Sequence, residues 1–134
     1  MPTTSTESTC DRHVALPYGL HSPAVARHIV SRWLVARETD SARIADAEMI
    51  VSELVTNAVR HSRGPCVLTL IDRCGRLDIA VKDQSESLPE PSSHPGEWGG
   101  YGMILIAKLG GNLTVVPAIG GKTVHVAFDA TALG

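Results

Sequence analysis

Aromatic side chains are scarce in this sequence: Tyr18, Trp33, Trp98, Tyr101 and Phe128 are the whole set. Rings scattered like this make no platform on which bases could stack. Neither sign of charge dominates, since 12 Lys and Arg stand against 14 Asp and Glu, a formal net charge of −2. Such a chain has no basic footprint for nucleic acid or for an anionic membrane. No apolar run approaches the roughly 18–20 residues of a membrane span; Met103–Ala107 is about the best available. The cysteines are Cys10, Cys66 and Cys74, with no CxxC and no His-rich tract, so zinc and redox motifs are unsupported. Cys66 and Cys74 could face each other across a hairpin, but Met1–Thr9 lacks the apolar stretch of a secretory signal. The expectation is therefore a cytoplasmic chain with reduced thiols. Residues 1–11 are expected to be a disordered tail.

What is present is enough for one packed domain. The chain has 134 residues, of which 43% are apolar, and its 12 glycines suggest tight turns or close backbone approach. Residues 12–134 read as that domain. Arg12–Tyr18 suits a short edge strand. Ser22-Pro23 is a helix start, a hydroxyl N-cap followed by Pro at the first helical position. Val25, Ile29 and Trp33 follow at four-residue spacing, with Val30 and Leu34 flanking, so a helix is expected to about Arg37. Ile44, Ala47, Val51, Leu54 and Ala58, spaced 3, 4, 3, 4, form the buried stripe of a second helix over 42–61.

The period then switches to two. Val67–Ile71 and Leu77–Val81 read as a hairpin around Asp72-Arg73-Cys74-Gly75. From Gln84 to Trp98 there is no periodicity, and such long loops inside compact domains are usually functional. A short helix, Met103–Leu109, is closed by Gly110-Gly111. Leu113–Val116 and Thr123–Phe128 are the last strands. The sum is an α+β sandwich: four or five largely antiparallel strands with two or three helices on one face.

Four features carry chemistry. Glu53 and Asn57 lie one turn apart on one helix face, off the apolar stripe, and Arg60 and His61 continue that face. An amide oxygen is a hard ligand for Mg²⁺, a carboxylate one turn earlier can accept a proton, and a guanidinium can meet phosphate. On spacing alone, the commoner origin of such a face is simple solvation. Asp83 ends a strand, where a carboxylate can read an exocyclic amine or merely cap a loop. Gly100-Tyr101-Gly102 precedes a helix whose first N–H groups, Met103 among them, can hold phosphate, or the glycines can act as a hinge. Thr123, after Gly121-Lys122, can touch a base or simply follow a turn.

Taken in order, these features resemble a known group. Glu53-Leu54-Val55-Thr56-Asn57-Ala58-Val59-Arg60-His61 closely resembles the N box of GHKL-type ATP-binding domains. That group includes histidine-kinase catalytic domains and bacterial anti-sigma serine kinases. Asp83 matches the aspartate of the first glycine box and Gly100-Tyr101-Gly102 matches the second. Gly121-Lys122-Thr123 resembles the final Gly/Thr element. With no dimerisation helix pair or acceptor-histidine segment, the chain looks most like the anti-sigma-factor kinases common in actinomycetes. In one place it departs: Asp83-Gln84-Ser85-Glu86-Ser87 has no glycine where the family usually has Asp-x-Gly-x-Gly.

The resemblance implies a Bergerat-type sandwich of about three helices on a mixed, largely antiparallel sheet, with ATP as ligand. Asn57 would coordinate Mg²⁺, and Glu53 would be the catalytic carboxylate. Asp83 would bind the adenine amine, with Thr123 supporting it. Gly100, Gly102 and Met103 would hold phosphates, with Arg60 and His61 at the phosphate end. Residues 84–98 would be the lid. The implied function is Mg-ATP-dependent phosphorylation of a STAS-type anti-anti-sigma protein, with a sigma factor as second partner and homodimerisation expected. The alternatives are a weak or inactive switch that sequesters a partner by binding alone, and a structural module with no nucleotide.

Overall fold

The computed structural model describes residues 9–16, 19, 21–62, 64–85 and 101–130. Eight elements follow in chain order: β1 (Thr9–Leu16), α1 (Ser22–Ala36), α2 (Ser41–His61), β2 (Cys66–Arg73), β3 (Arg76–Asp83), α3 (Tyr101–Lys108), β4 (Asn112–Ala118) and β5 (Gly121–Asp129). The strands form one sheet in the order β1-β2-β3-β5-β4. Every neighbouring pair is antiparallel. β5 thus returns to lie between β3 and the edge strand β4, which brings two strands distant in sequence together at Asp83 and Lys122.

Period-two alternation selects the face that the helices cover. Leu68 and Leu70 of β2, Leu77, Ile79 and Val81 of β3, and Val124, Val126 and Phe128 of β5 are all buried in one core. Burying a side chain of this size contributes about 1.5–3 kcal/mol relative to leaving it in water. The α2 stripe meets them as expected: Ile44, Ala47, Val51, Leu54 and Ala58 are buried, with Ile50 and Val55 widening the stripe. Asp40 caps α2, its carboxylate accepting the Ala42 N–H at 3.0 Å. None of the described helices is long and apolar enough to cross a membrane.

The structure corrects several boundaries and decides which row of α1 faces inward. The buried row of α1 is Ala26, Val30 and Leu34, one residue on from Val25, Ile29 and Trp33. Val25 is exposed, and Ile29 and Trp33 are only half-buried. The apolar arc of α1 is wide enough for either row to face inward. Small Ala26 lets α1 approach its neighbours closely, while Trp33 lies at the rim under the Arg37 guanidinium, 5.2 Å from the ring centre. Ser22 is the first residue of α1 rather than its cap, and His21 holds the cap position. β1 begins at Thr9, inside the expected tail, because its backbone pairs with β2 from Thr9↔Arg73 onward. Pro17-Tyr18, the rest of the expected edge strand, lies outside the described residues.

The hairpin between β2 and β3 is a two-residue turn. Cys74 (φ 58°) and Gly75 (φ 90°) both take positive φ, the requirement of a type I′ turn. The Asp72 carboxylate holds it by accepting the Gly75 N–H at 2.7 Å. Cys66 and Cys74 do not face each other: Cys66 opens β2 and is buried, Cys74 is exposed in the turn, and both are free thiols. At the end of α3, the Gly110 N–H donates to the Ala107 carbonyl and the Gly111 N–H to the Ile106 carbonyl. This paired closure needs the positive φ of Gly110 (88°).

Candidate functional site

The polar face of α2 is not an ordinary solvated face. Asn57 is 94% buried although its side chain is an amide (relative exposure 6%). Its Nδ2 donates to the Glu53 carbonyl one turn back at 2.9 Å. That bond fixes the amide and leaves Oδ1 as its available acceptor. Glu53 is half-buried beside it, Arg60 is exposed, and His61 is half-buried. The two basic residues stand in the last turn of α2, where the helix dipole favours positive charge.

Ser62 joins this face to the strand end. Its N–H closes α2 on the Ala58 carbonyl at 2.9 Å. Its Oγ accepts the N–H of Gln84 at 3.2 Å and that of Gly64 at 3.5 Å. Gln84 directly follows Asp83, so one buried hydroxyl ties the end of α2 to the end of β3. In the sequence Ser62 stands out only as part of the stop after this helix, and nothing in its local pattern points to the strand end.

Asp83 is buried at the end of β3, as the alternation Leu77, Ile79, Val81, Asp83 requires. Its partner is Lys122. The Lys122 Nζ donates to Oδ1 and to Oδ2, each at 3.1 Å, and reaches the Ser85 carbonyl at 3.5 Å. Asp83 Oδ1 also accepts the Ser85 N–H at 2.8 Å. The two side chains are 1% and 3% exposed, so this ion pair is dry. An ammonium has three protons and here meets three acceptors, which is how a buried lysine is tolerated. Nearby, burial and then the Asp83 charge push the Cys66 thiol up to about 11, against a backbone hydrogen bond that lowers it. The Cys66 thiolate, the reactive form, is therefore suppressed at neutral pH.

Gly121 makes this approach possible. A Cβ built on it would lie 2.1 Å from the Asp83 carbonyl oxygen, a backbone atom that cannot step aside. Gly121→Ala is therefore expected to push β5 off the end of β3 and to cost about 2–3 kcal/mol, the upper range of overpacking. Urea unfolding measures it, and an unchanged midpoint would contradict the close contact.

Thr123 does not join Asp83. Residues 124, 126 and 128 of β5 face the core, so Thr123 takes the opposite face, paired with exposed Lys82. The buried position opposite Asp83 belongs to Lys122. Helix α3 starts at Tyr101, two residues before the expected Met103. Gly102 and Met103 accordingly lie in its first turn, whose N–H groups have no partner within a helix. Gly100 and positions 86–98 of the expected lid are outside the described residues; Gln84 and Ser85 are held as above.

The two ends of the site differ in how they suit a nucleotide. At the α2 end, Asn57 Oδ1 is the kind of oxygen that Mg²⁺ takes, alongside phosphate oxygens and water. At the strand end, the carboxylate that would read an adenine amine is already engaged by a lysine. An antiparallel five-stranded sheet under one helical layer, with a polar helix face tied to an acidic strand end, is the plan of a GHKL-type ATPase or kinase. The chain belongs to the histidine kinase-like ATPase domain family, whose model matches residues 19–128.

Solved structures agree on the fold. The RsbU and RsbW domains of Rv1364c from Mycobacterium tuberculosis superpose with a TM-score of 0.70 at 20% identity, over 93% of this chain and 34% of that one. The blue-light activated histidine kinase of Erythrobacter litoralis superposes with a TM-score of 0.52 at 26% identity, over 69% of this chain and 32% of that one. The chain thus spans about a third of the length of these relatives. No curated protein matches it.

Proposed function

We propose that this domain is a Mg-ATP-binding regulator of the anti-sigma type, a serine/threonine kinase acting on a STAS-type anti-anti-sigma protein, with a sigma factor as its second partner. The observation that carries the reading is Asn57: a buried amide, fixed by the Glu53 carbonyl, with its oxygen available beside a carboxylate one turn away. The similarity to a chain that includes an RsbW domain agrees with the anti-sigma branch that the motifs resemble. Among the described residues no cluster of His, Cys, Asp or Glu could hold a metal ion by itself. Mg²⁺ would arrive with the polyphosphate, held by Asn57, and would supply charge neutralisation there. Glu53 would accept the proton of the incoming serine hydroxyl. Arg60 and the first-turn amides of Gly102 and Met103 would orient the phosphates.

Calorimetric titration with Mg-ATP tests this reading. Asn57→Ala is expected to weaken binding at least about tenfold, the worth of one charge-assisted contact. Equal binding by wild type and Asn57→Ala would refute the site as drawn.

A second reading has its own support. The engaged Asp83 favours a switch that binds a partner without efficient catalysis. Transfer of labelled γ-phosphate to the STAS partner separates the two: the kinase reading requires efficient transfer, and the switch reading expects weak transfer or none.

A further inference from the structure

Asp83 and Lys122 carry a consequence for ligand choice. A base that offers an exocyclic amine to Asp83 must find an open oxygen on it. Oδ1 already accepts two donors, Lys122 Nζ and the Ser85 N–H, and Oδ2 accepts Nζ, so one acceptor position is left, on an oxygen of a side chain only 3% exposed. The carboxylate is almost wholly out of solvent, with Lys122 behind it at 1% exposure. An amine could take the ammonium's place only by exchanging a dry ion pair for a neutral hydrogen bond and leaving a buried lysine without its partner. The exchange is unfavourable, because a charge stripped of its partner indoors costs far more than one neutral contact returns. The register shows why the lysine is held in place: Asp83↔Lys122 is the last pair of the β3–β5 ladder, pressed together by the missing side chain of Gly121.

We infer that Lys122 determines the base specificity of this site: by filling the carboxylate that would read adenine, it makes nucleotide binding rest on the polyphosphate end and nearly indifferent to the base. This rests on the nucleotide-binding reading above. It distinguishes the chain from a domain in which a neutral residue at this β5 position leaves the carboxylate to the ligand.

The test titrates the wild-type chain and Lys122→Gln with Mg-ATP, Mg-GTP and Mg-tripolyphosphate. Gln fills much of the lysine's volume, which limits the loss of stability, and its neutral amide can yield the carboxylate to an amine without leaving a buried cation unpaired. The wild type is expected to bind ATP and GTP within about threefold of each other. Lys122→Gln is expected to gain at least about tenfold for ATP and nothing for tripolyphosphate. Lys122→Gln that binds ATP when the wild type binds no nucleotide overturns the inference of base-indifferent binding and removes the kinase reading. A wild-type preference for ATP above tenfold overturns the inference and leaves the nucleotide reading standing. Failure of both proteins to bind any of the three ligands overturns both.

A second measurement needs no variant. Acetylation of Lys122, read by mass spectrometry against the exposed Lys82 and Lys108, is expected to stay low at saturating Mg-ATP. A rise of Lys122 reactivity to the level of the other two would mean that the base displaces it, and would overturn the inference.

Discussion

Asp83→Ala is expected to cost about 3–5 kcal/mol of folding stability, the penalty for leaving a buried charge without its partner. Domains of this size have only about 5–15 kcal/mol in hand, so the variant should be near its threshold at 37 °C. The cause is electrostatic. Lys122 would keep one neutral acceptor, the Ser85 carbonyl at 3.5 Å, after losing two charged ones at 3.1 Å. Removing the ammonium as well should recover most of the loss, because an apolar chain in a dry site leaves no charge to solvate. Asp83→Ala/Lys122→Met is therefore expected to be more stable than Asp83→Ala alone. Urea unfolding of the wild type, both single variants and the double variant gives the cycle. A double variant no more stable than Asp83→Ala would show that lost packing, not the stranded charge, dominates.

Much of the scaffold was legible because its pattern is redundant. The α2 stripe repeats five times at helical spacing, and a single rotation satisfies every member. The β2–β3 hairpin combines alternating strands with a turn whose residues allow positive φ. The inward face of α1 is not legible in the sequence, because two adjacent rows are both apolar and only tertiary packing decides between them. The strand end carries a more instructive miss. Val124, Val126 and Phe128 already place even-numbered residues of β5 inward, which puts Lys122 on the inner face and Thr123 on the outer one. Burial statistics argue strongly against an inward lysine. What overrides them is the inward Asp83 on the neighbouring strand, and β3 and β5 become neighbours only through the sheet order. Ser62 was invisible for a related reason: its partner, the Gln84 N–H, lies 22 residues away. By contrast, the motif points directly to Glu53, Asn57 and Asp83, and the structure buries Asn57 and Asp83.

Glu53→Gln is expected to slow phosphoryl transfer to the STAS-type partner by about 10²–10⁴-fold, the usual contribution of a positioned general base. Mg-ATP affinity should stay within about threefold, so the loss falls on kcat and not on binding. The geometry makes this a clean substitution. Asn57 is anchored to the Glu53 backbone carbonyl, not to its carboxylate, so the exchange of one side-chain oxygen for nitrogen leaves the amide where it is. The new side chain has the same shape and keeps the same half-buried position, but it cannot take a proton. Asn57→Ala makes the opposite change, removing the amide oxygen that would hold the metal and leaving the carboxylate, so its loss should appear first as weaker Mg-ATP binding. A Glu53→Gln protein that transfers phosphate at the wild-type rate would remove Glu53 from the proton-accepting role. One that loses Mg-ATP affinity as steeply as Asn57→Ala would reassign Glu53 to holding the metal's water shell. If transfer is absent in the wild type while the STAS partner still binds, the α2 face serves recognition, and catalysis has been given up at the same strand end where Lys122 holds Asp83.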